Sequence, residues 1–233
     1  MAKLMSIDLT RDELGRTIGG GIPPNSLILL EGQEGAGKSA ITQRIVYGLL
    51  KNEYTVCYIS TELNTMGFVE QMASLDYGVT DYLLFEKVLF MPMFPYLGKR
   101  GLAPNFVDQF MRSKVLFDKD FIVFDTFSFL LMHSQMDEKK LFQFMSFLKK
   151  VNSLGKTMLF TVDKSHLVDP KFTTLLKSIC DLYWTVETQM SAGQLVRVIK
   201  FHRFKRVGDK ILPGLPFKIE PGKGFAIEIA SFS

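Results

Sequence analysis

The chain has little of what builds disulfide-framed or metal-built proteins: two cysteines and three histidines in 233 residues. Cys57 falls in a strand-like run and Cys180 near a helix end, both among apolar neighbours. They are expected to be reduced core residues, not a disulfide framework or a metal centre. His133 and His166 have no companions at ligand spacing, and His202 lies in an apolar and basic run, so a histidine-built metal site is not expected. Net charge is only +4, well short of a nucleic-acid-binding signature. No apolar stretch reaches the length of a membrane span, because Asp125 interrupts the best run and Pro92 and Pro95 fall in the next. The start of the chain lacks a charged-then-apolar leader, so an intracellular location is expected. Repeats, low-complexity segments and linkers are also lacking, and one domain over 1–233 is the expectation. What is abundant is phenylalanine and methionine, 21 and 12 residues. That is more apolar surface than one core consumes, and such surplus suits subunit or partner contacts.

Against this background one motif stands out. Residues 32–39 read Gly32-Gln33-Glu34-Gly35-Ala36-Gly37-Lys38-Ser39, a complete Walker A phosphate loop. A strand-like run at 26–30 precedes it and a helix-like run at 39–50 follows, which is the context the motif needs. The glycines let successive backbone N–H groups turn inward around phosphates, and the helix N-terminus adds partial positive charge. Lys38 would reach the β and γ oxygens, and the Ser39 hydroxyl would ligate Mg²⁺. The bland alternative is a glycine turn that opens an ordinary helix. In this context the motif implies a nucleoside triphosphate ligand held by Gly35, Ala36, Gly37, Lys38, Ser39 and Ala40.

Strands and helices alternate beyond it. The segment 54–60 (YTVCYIS) is rich in β-branched and aromatic residues and reads as a buried strand. Asn64 or Thr65 can cap a helix to about 75. Residues 87–94 read as an edge strand because of Pro92, and Asn105 can cap a following helix. DFIVFD at 120–125 is an apolar strand ending in a carboxylate. Asp137 starts a helix that Gly155 ends, with a core stripe of Leu141, Phe144, Met145, Leu148 and Val151. Phe142 and Phe147 lie off that stripe, which suits either a helix wedged between layers or a partner surface. A strand at 157–162 and a helix at 172–179 follow. The tail is strand-like throughout, with a hairpin of 182–187 and 195–202 across 191–193, then strands near 217–219 and 225–229. The pattern predicts an α/β fold: a mostly parallel, helix-flanked sheet with an antiparallel C-terminal extension.

Two carboxylates complete the candidate chemistry. Asp125 ends its strand where an aspartate can hold Mg²⁺ through water, opposite Ser39; the alternative is a plain turn cap. Glu62, in Ser60-Thr61-Glu62 at the end of the second strand, is the candidate catalytic carboxylate, placed to polarise a water beside the γ-phosphate. Its alternative is a solvated strand-end glutamate.

Together these residues resemble the KaiC-like branch of the RecA superfamily. The resemblance rests on Gly19-Gly20-Gly21-Ile22-Pro23, the phosphate loop, Glu62 and Asp125. Phe160-Thr161-Val162-Asp163 resembles a strand-end sensor segment, and Asp181-Leu182-Tyr183-Trp184 with Val198-Ile199-Lys200 resembles the closing hairpin. Similarity spans about residues 5 to 230. Within that branch the chain is similar to single-domain ATP-binding subunits of the archaellum, the archaeal flagellum. The resemblance implies a RecA/KaiC-like P-loop domain that binds ATP and Mg²⁺ and forms a homo-oligomeric, hexameric ring. It further implies a cytoplasmic place at the membrane-embedded base of the archaellum. There the partners would be the motor ATPase FlaI, the membrane platform FlaJ and accessory scaffold proteins, with no nucleic acid.

Two departures from the KaiC pattern bear on turnover. KaiC-type domains carry paired acids after the second strand, whereas Thr61 takes the first place here and Glu62 stands alone. General-base help is worth about 10²–10⁴-fold. KaiC-like rings also present Lys-x-Arg to the neighbour's phosphate, and here the run is Lys200-Phe201-His202-Arg203. His202 takes the arginine's place, and Arg203 falls on the opposite strand face unless a bulge turns it. An arginine finger contributes about 10³–10⁵-fold. Both departures favour nucleotide as a conformational ligand with absent or slow hydrolysis. Lys200, Arg203, Lys205, Arg206 and Lys210, interleaved with Phe201 and Phe204, suit a solvated hairpin edge, a trans contact or single-stranded nucleic acid. Two rival functions remain. A DNA-dependent RecA-type ATPase would need basic, glycine-rich loops after Asp125, where 126–134 is apolar. A KaiC-like autokinase would have only Ser231 and Ser233 as hydroxyls in the final segment and no second domain.

Overall fold

The structure, a computed structural model, describes residues 3–93, 105–133, 136–164, 170–191, 194–206 and 211–228. The expectations for Pro95, His166, Lys210, Ser231, Ser233 and the hairpin turn at 192–193 fall outside these residues. The strands are β1 (Leu27–Gly32), β2 (Val56–Ser60), β3 (Val88–Pro92), β4 (Phe121–Asp125), β5 (Thr157–Asp163), β6 (Leu182–Ser191), β7 (Gln194–Phe204), β8 (Gly214–Glu220) and β9 (Gly224–Ile227). They form one nine-stranded sheet in the order β3-β2-β4-β5-β1-β6-β7-β8-β9. Pairing is parallel from β3 to β6 and antiparallel from β6 to β9. That is the arrangement the alternating pattern predicts. β3 lies at the edge, where Pro92, lacking an N–H, is tolerated.

The helices are α1 (Leu14–Thr17), α2 (Lys38–Lys51), α3 (Thr65–Ser74), α4 (Thr80–Leu84), α5 (Phe106–Arg112), α6 (Phe127–His133), α7 (Glu138–Ser153) and α8 (Pro170–Ile179). Strand alternation divides the apolar residues into two layers. Ile28, Leu30, Val56, Tyr58 and Val123 pack with α2 and α3 on one face. Leu29, Cys57, Ile59, Phe124 and Phe160 pack with α5 to α8 on the other. Because both faces are covered, the central strands read as continuous apolar runs.

Local chemistry sets the helix ends. The Asn64 side chain accepts from the Gly67 N–H at 2.8 Å, and Asp137 accepts from the Lys140 N–H at 2.7 Å. Each cap contributes about 1 kcal/mol. Asn105 stands at the cap position of α5, but its side chain makes no capping hydrogen bond. Gly155 ends α7 at φ +98°. The α7 stripe of Leu141, Phe144, Met145, Leu148 and Val151 is buried. Phe147 is half-buried edge-on to Phe117 at 5.0 Å, and Phe142 is exposed. The sequence pattern predicts no helix at α1, α4 or α6, and the structure has one at each. The hairpin strands also run past the predicted bounds, because antiparallel partners extend pairing beyond the most apolar residues.

A clasp holds the segment before β1 against α2. Arg44, fully buried, donates from Nε and Nη2 to the two Asp12 oxygens at 2.6 and 2.5 Å and from Nη1 to the Ile7 carbonyl at 2.9 Å. Gly48 allows this approach: a Cβ there would stand 2.4 Å from the Ile7 oxygen. Among the described residues no helix is long and apolar enough to cross a membrane.

Candidate nucleotide-binding site

Register at the carboxyl ends of the parallel strands creates the site. Gly32 of β1 lies beside Asp163 of β5, and Ser60 of β2 beside Asp125 of β4. In such sheets ligands bind outside these strand ends. β1, buried along its length, delivers the 32–39 loop to that edge. Gly35 and Gly37 have φ of +72° and +102°, a backbone region that glycine adopts without strain. Gly37 is the N-cap of α2 and offers no capping side chain, so the first-turn N–H groups suit an anion. Ala36 and Ala40 are buried beneath the loop and Gly35 is exposed at its crown. The antiparallel tail also reaches the loop, since a Cβ on Gly37 would stand 3.0 Å from Ile219 Cδ1 of β8.

Lys38 is buried, and its Nζ donates to the Gly32 and Gln33 carbonyls at 3.1 and 2.8 Å and pairs with Asp163 at 2.5 Å. Asp163 is steadied by Ser128, whose Oγ accepts from the Asp163 N–H at 3.1 Å. Ser39 and Asp125, 86 positions apart, meet as the sequence predicts: Ser39 Oγ donates to Asp125 Oδ1 at 3.3 Å. Asp125 is 5 % exposed and receives two more hydroxyls. Thr161 donates to Oδ1 at 2.8 Å and Tyr58 to Oδ2 at 2.6 Å. Burial, first, and then the Asp125 charge push the Tyr58 phenol well above its usual pKa, so it remains a donor. A hydroxyl beside a firmly held carboxylate is a donor set that fits a hard, oxygen-seeking cation such as Mg²⁺. Ser39 and Asp125 would hold that ion, and its charge would offset that of the phosphates. Among the described residues no three or more histidine, cysteine or acidic side chains are grouped so as to hold a metal ion.

Glu62 lies at the rim, exposed, with Oε1 accepting from the Thr126 hydroxyl at 3.0 Å. Its neighbour Thr61 is buried and ties β2 to β4: its hydroxyl accepts from the Thr126 N–H at 3.0 Å and its own N–H donates to the Asp125 carbonyl at 2.8 Å. A carboxylate at position 61 would lie in that closed junction.

The hairpin residues expected to reach a neighbour are engaged within the chain. Lys200 pairs with Glu187 at 2.6 Å. The β6–β7 register shifts beside Tyr183, which pairs with Arg203 while Trp184 pairs with Phe201. His202 is therefore the bulged residue, with its Nε2 at 2.8 Å from the Thr185 hydroxyl and its ring stacked on Tyr183. Arg203 donates to the Lys177 and Cys180 carbonyls at the end of α8, at 2.6 and 3.0 Å. Lys205 and Arg206 approach Asp181. Tyr58 and Thr126 were not singled out from the sequence. Thr161 and Asp163 entered only as part of the sensor-like segment. The available signal was their period-two placement at strand ends, which becomes specific only once register is known.

A family model described as "ATPase: KaiC" matches residues 11–230. The chain is similar to the archaeal flagellar ATP-binding protein FlaH of Methanocaldococcus jannaschii, at 35% identity covering 98% of this chain and 97% of that one. It is also similar to the FlaH of Methanococcus voltae, at 33% identity over 98% and 99%. The crystal structure of flagellar accessory protein FlaH from M. jannaschii superposes with a TM-score of 0.90 at 33% identity, covering 98% of this chain and all of that one.

Proposed function

The chain belongs to the KaiC-like ATPases of the RecA superfamily and, among them, to the FlaH group, and from this membership we propose that it is the ATP-binding subunit of an archaellum motor complex. Bound Mg-ATP sets its ring assembly and its affinity for the motor ATPase FlaI, and hydrolysis is absent or slow. One ATP-binding domain spans the chain. The ring is a hexamer at the cytoplasmic face of the membrane, between FlaI, the platform FlaJ and accessory scaffold proteins. The observation that carries the reading of binding with absent or slow hydrolysis is the pairing of a well-braced binding half with a sparse hydrolytic half.

Lys38 and Asp125 are each held by several short hydrogen bonds or ion pairs, and Ser39 is tied to Asp125 by one hydrogen bond at 3.3 Å, so phosphates and metal would meet preset groups. Glu62 must act without a neighbouring acid, because Thr61 is used to join β2 and β4. A single exposed carboxylate can orient a water but receives no help in deprotonating it. A ligand that favours the assembled state drives assembly by its differential affinity, and turnover is not required for that linkage. Two observations speak against a DNA-dependent ATPase. Apolar α6 follows Asp125, and Arg203, Lys205 and Arg206 are engaged within the chain. Lys38→Ala tests the site itself: Mg-ATP binding, measured by titration calorimetry, should fall at least about 100-fold. Retained tight binding would overturn the assignment of the 32–39 loop.

A further inference from the structure

Asp125 is held by three hydroxyls from three elements, and they are not equivalent. Ser39 from α2 is the most distant at 3.3 Å, against 2.8 Å for Thr161 of β5 and 2.6 Å for Tyr58 of β2. Were Ser39 to turn its hydroxyl to a bound cation, only the longest of the three hydrogen bonds would be given up, and Thr161 and Tyr58 would still hold the carboxylate. Ser39 and Thr161 share Oδ1, whereas Oδ2 has Tyr58 as its donor. A terminal carboxylate torsion is broad, so the donor on Oδ2 decides how the group is turned.

Behind Tyr58 stands Gln43, one turn along α2 from Ser39. Its side chain is fully buried, and neither amide atom makes a hydrogen bond of normal geometry among the described residues. The amide lies close enough to draw the Tyr58 phenol's pKa down, against the larger raising effects of burial and of the Asp125 charge. A buried amide without a partner costs about 1–3 kcal/mol, a cost that a purely structural leucine would avoid. The Tyr58 oxygen donates its one hydrogen to Asp125, so its lone pairs are free to accept from the Gln43 amide as that side chain adjusts.

We propose that Tyr58, backed by Gln43, is a positioning residue for the metal half of this site, fixing the Asp125 carboxylate so that Oδ1 faces the ion carried by the nucleotide. The proposal rests on the nucleotide assignment above and extends it, because it makes the metal-dependent part of ATP affinity depend on a phenol in β2.

The test measures ATP affinity in excess Mg²⁺ and in EDTA, for wild type, Tyr58→Phe and Gln43→Leu. Wild type should bind more tightly with Mg²⁺. In Tyr58→Phe the gain conferred by Mg²⁺ should shrink about tenfold, the worth of one hydrogen bond to a charged group, while affinity in EDTA stays within about twofold. Gln43→Leu should lose about threefold of the same gain without a lower melting temperature, which separates positioning from stability. An unchanged Mg²⁺ gain in Tyr58→Phe, or equal losses in both buffers, would overturn the proposal and leave the nucleotide site standing. Wild-type protein that binds ATP in neither buffer would overturn the nucleotide assignment, and the proposal with it.

Discussion

Replacing Arg44 by Met would leave the Asp12 carboxylate, 4 % exposed on its side chain, without its cation. Three hydrogen bonds are lost together, two to Asp12 and one to the Ile7 carbonyl. Breaking a buried pair from one side costs about 3–5 kcal/mol. Unfolding entropy near 2.1 cal/mol/K per residue scales to about 0.5 kcal/mol/K for a chain of this length. The expected fall in melting temperature is therefore about 6–10 °C. The double variant Asp12→Asn/Arg44→Met removes both charges and keeps an acceptor for the Leu14 N–H that Asp12 now serves at 3.0 Å. It should cost under about 2 kcal/mol, or about 4 °C. The assay is thermal unfolding with and without Mg-ATP. Arg44 makes no hydrogen bond to the 32–39 loop, so the rise in melting temperature on adding ATP should persist in every variant. A double variant as unstable as Arg44→Met alone would show that charge pairing is not what the clasp contributes. Loss of the ATP-induced rise would show that the clasp and the site are not separable.

Other consequences can be checked alongside it. Arg203→Ala removes the guanidinium that holds the last carbonyls of α8. It should cost about 1–2 kcal/mol at dilutions where the chain is monomeric, whereas unchanged stability with lost ATP-dependent assembly would make Arg203 a contact to a neighbour instead. Burial, as the main cause, pushes the Cys57 and Cys180 thiols up to about 12. With the folded values raised above the unfolded ones, about one thiol in ten thousand is ionised at pH 8. An aromatic disulfide reagent should thus label native protein only as it unfolds and label two thiols once guanidinium is added. Rapid native labelling would contradict the burial of these cysteines.

Strand and helix order was legible because hydrophobic period changes cleanly between β2, α3, β4, α7 and β5, and because Asn64, Asp137 and Gly155 mark helix ends. The 32–39 loop was legible because phosphate binding needs glycines and lysine at fixed spacing on one continuous segment. The meeting of Ser39 with Asp125 was expected because a carboxylate ends an apolar strand downstream of the phosphate loop. Tyr58 and Thr161 were harder to find, because a tyrosine or threonine in an apolar strand has the same pattern whether it packs or positions a carboxylate. Arg44 was hidden in the same way: its partner lies 32 positions away in a segment with little regular structure. α6 was missed because 127–133 is apolar on all sides, leaving no helical period to read. The bulge at His202, which turns Arg203 toward α8, depends on packing against that helix and leaves no mark in the spacing.

Holding ATP and spending it are separate capacities of such a site, and in the proposed function the first is braced while the second would rest on Glu62. Single-turnover hydrolysis distinguishes them most directly. Purified protein in excess is given Mg-ATP, and bound ATP and ADP are quantified over hours. Nucleotide that stays bound and intact is the expected result and makes ATP a ligand for assembly. Conversion to ADP within seconds to minutes would contradict it, and the chain would be an energy-transducing ATPase.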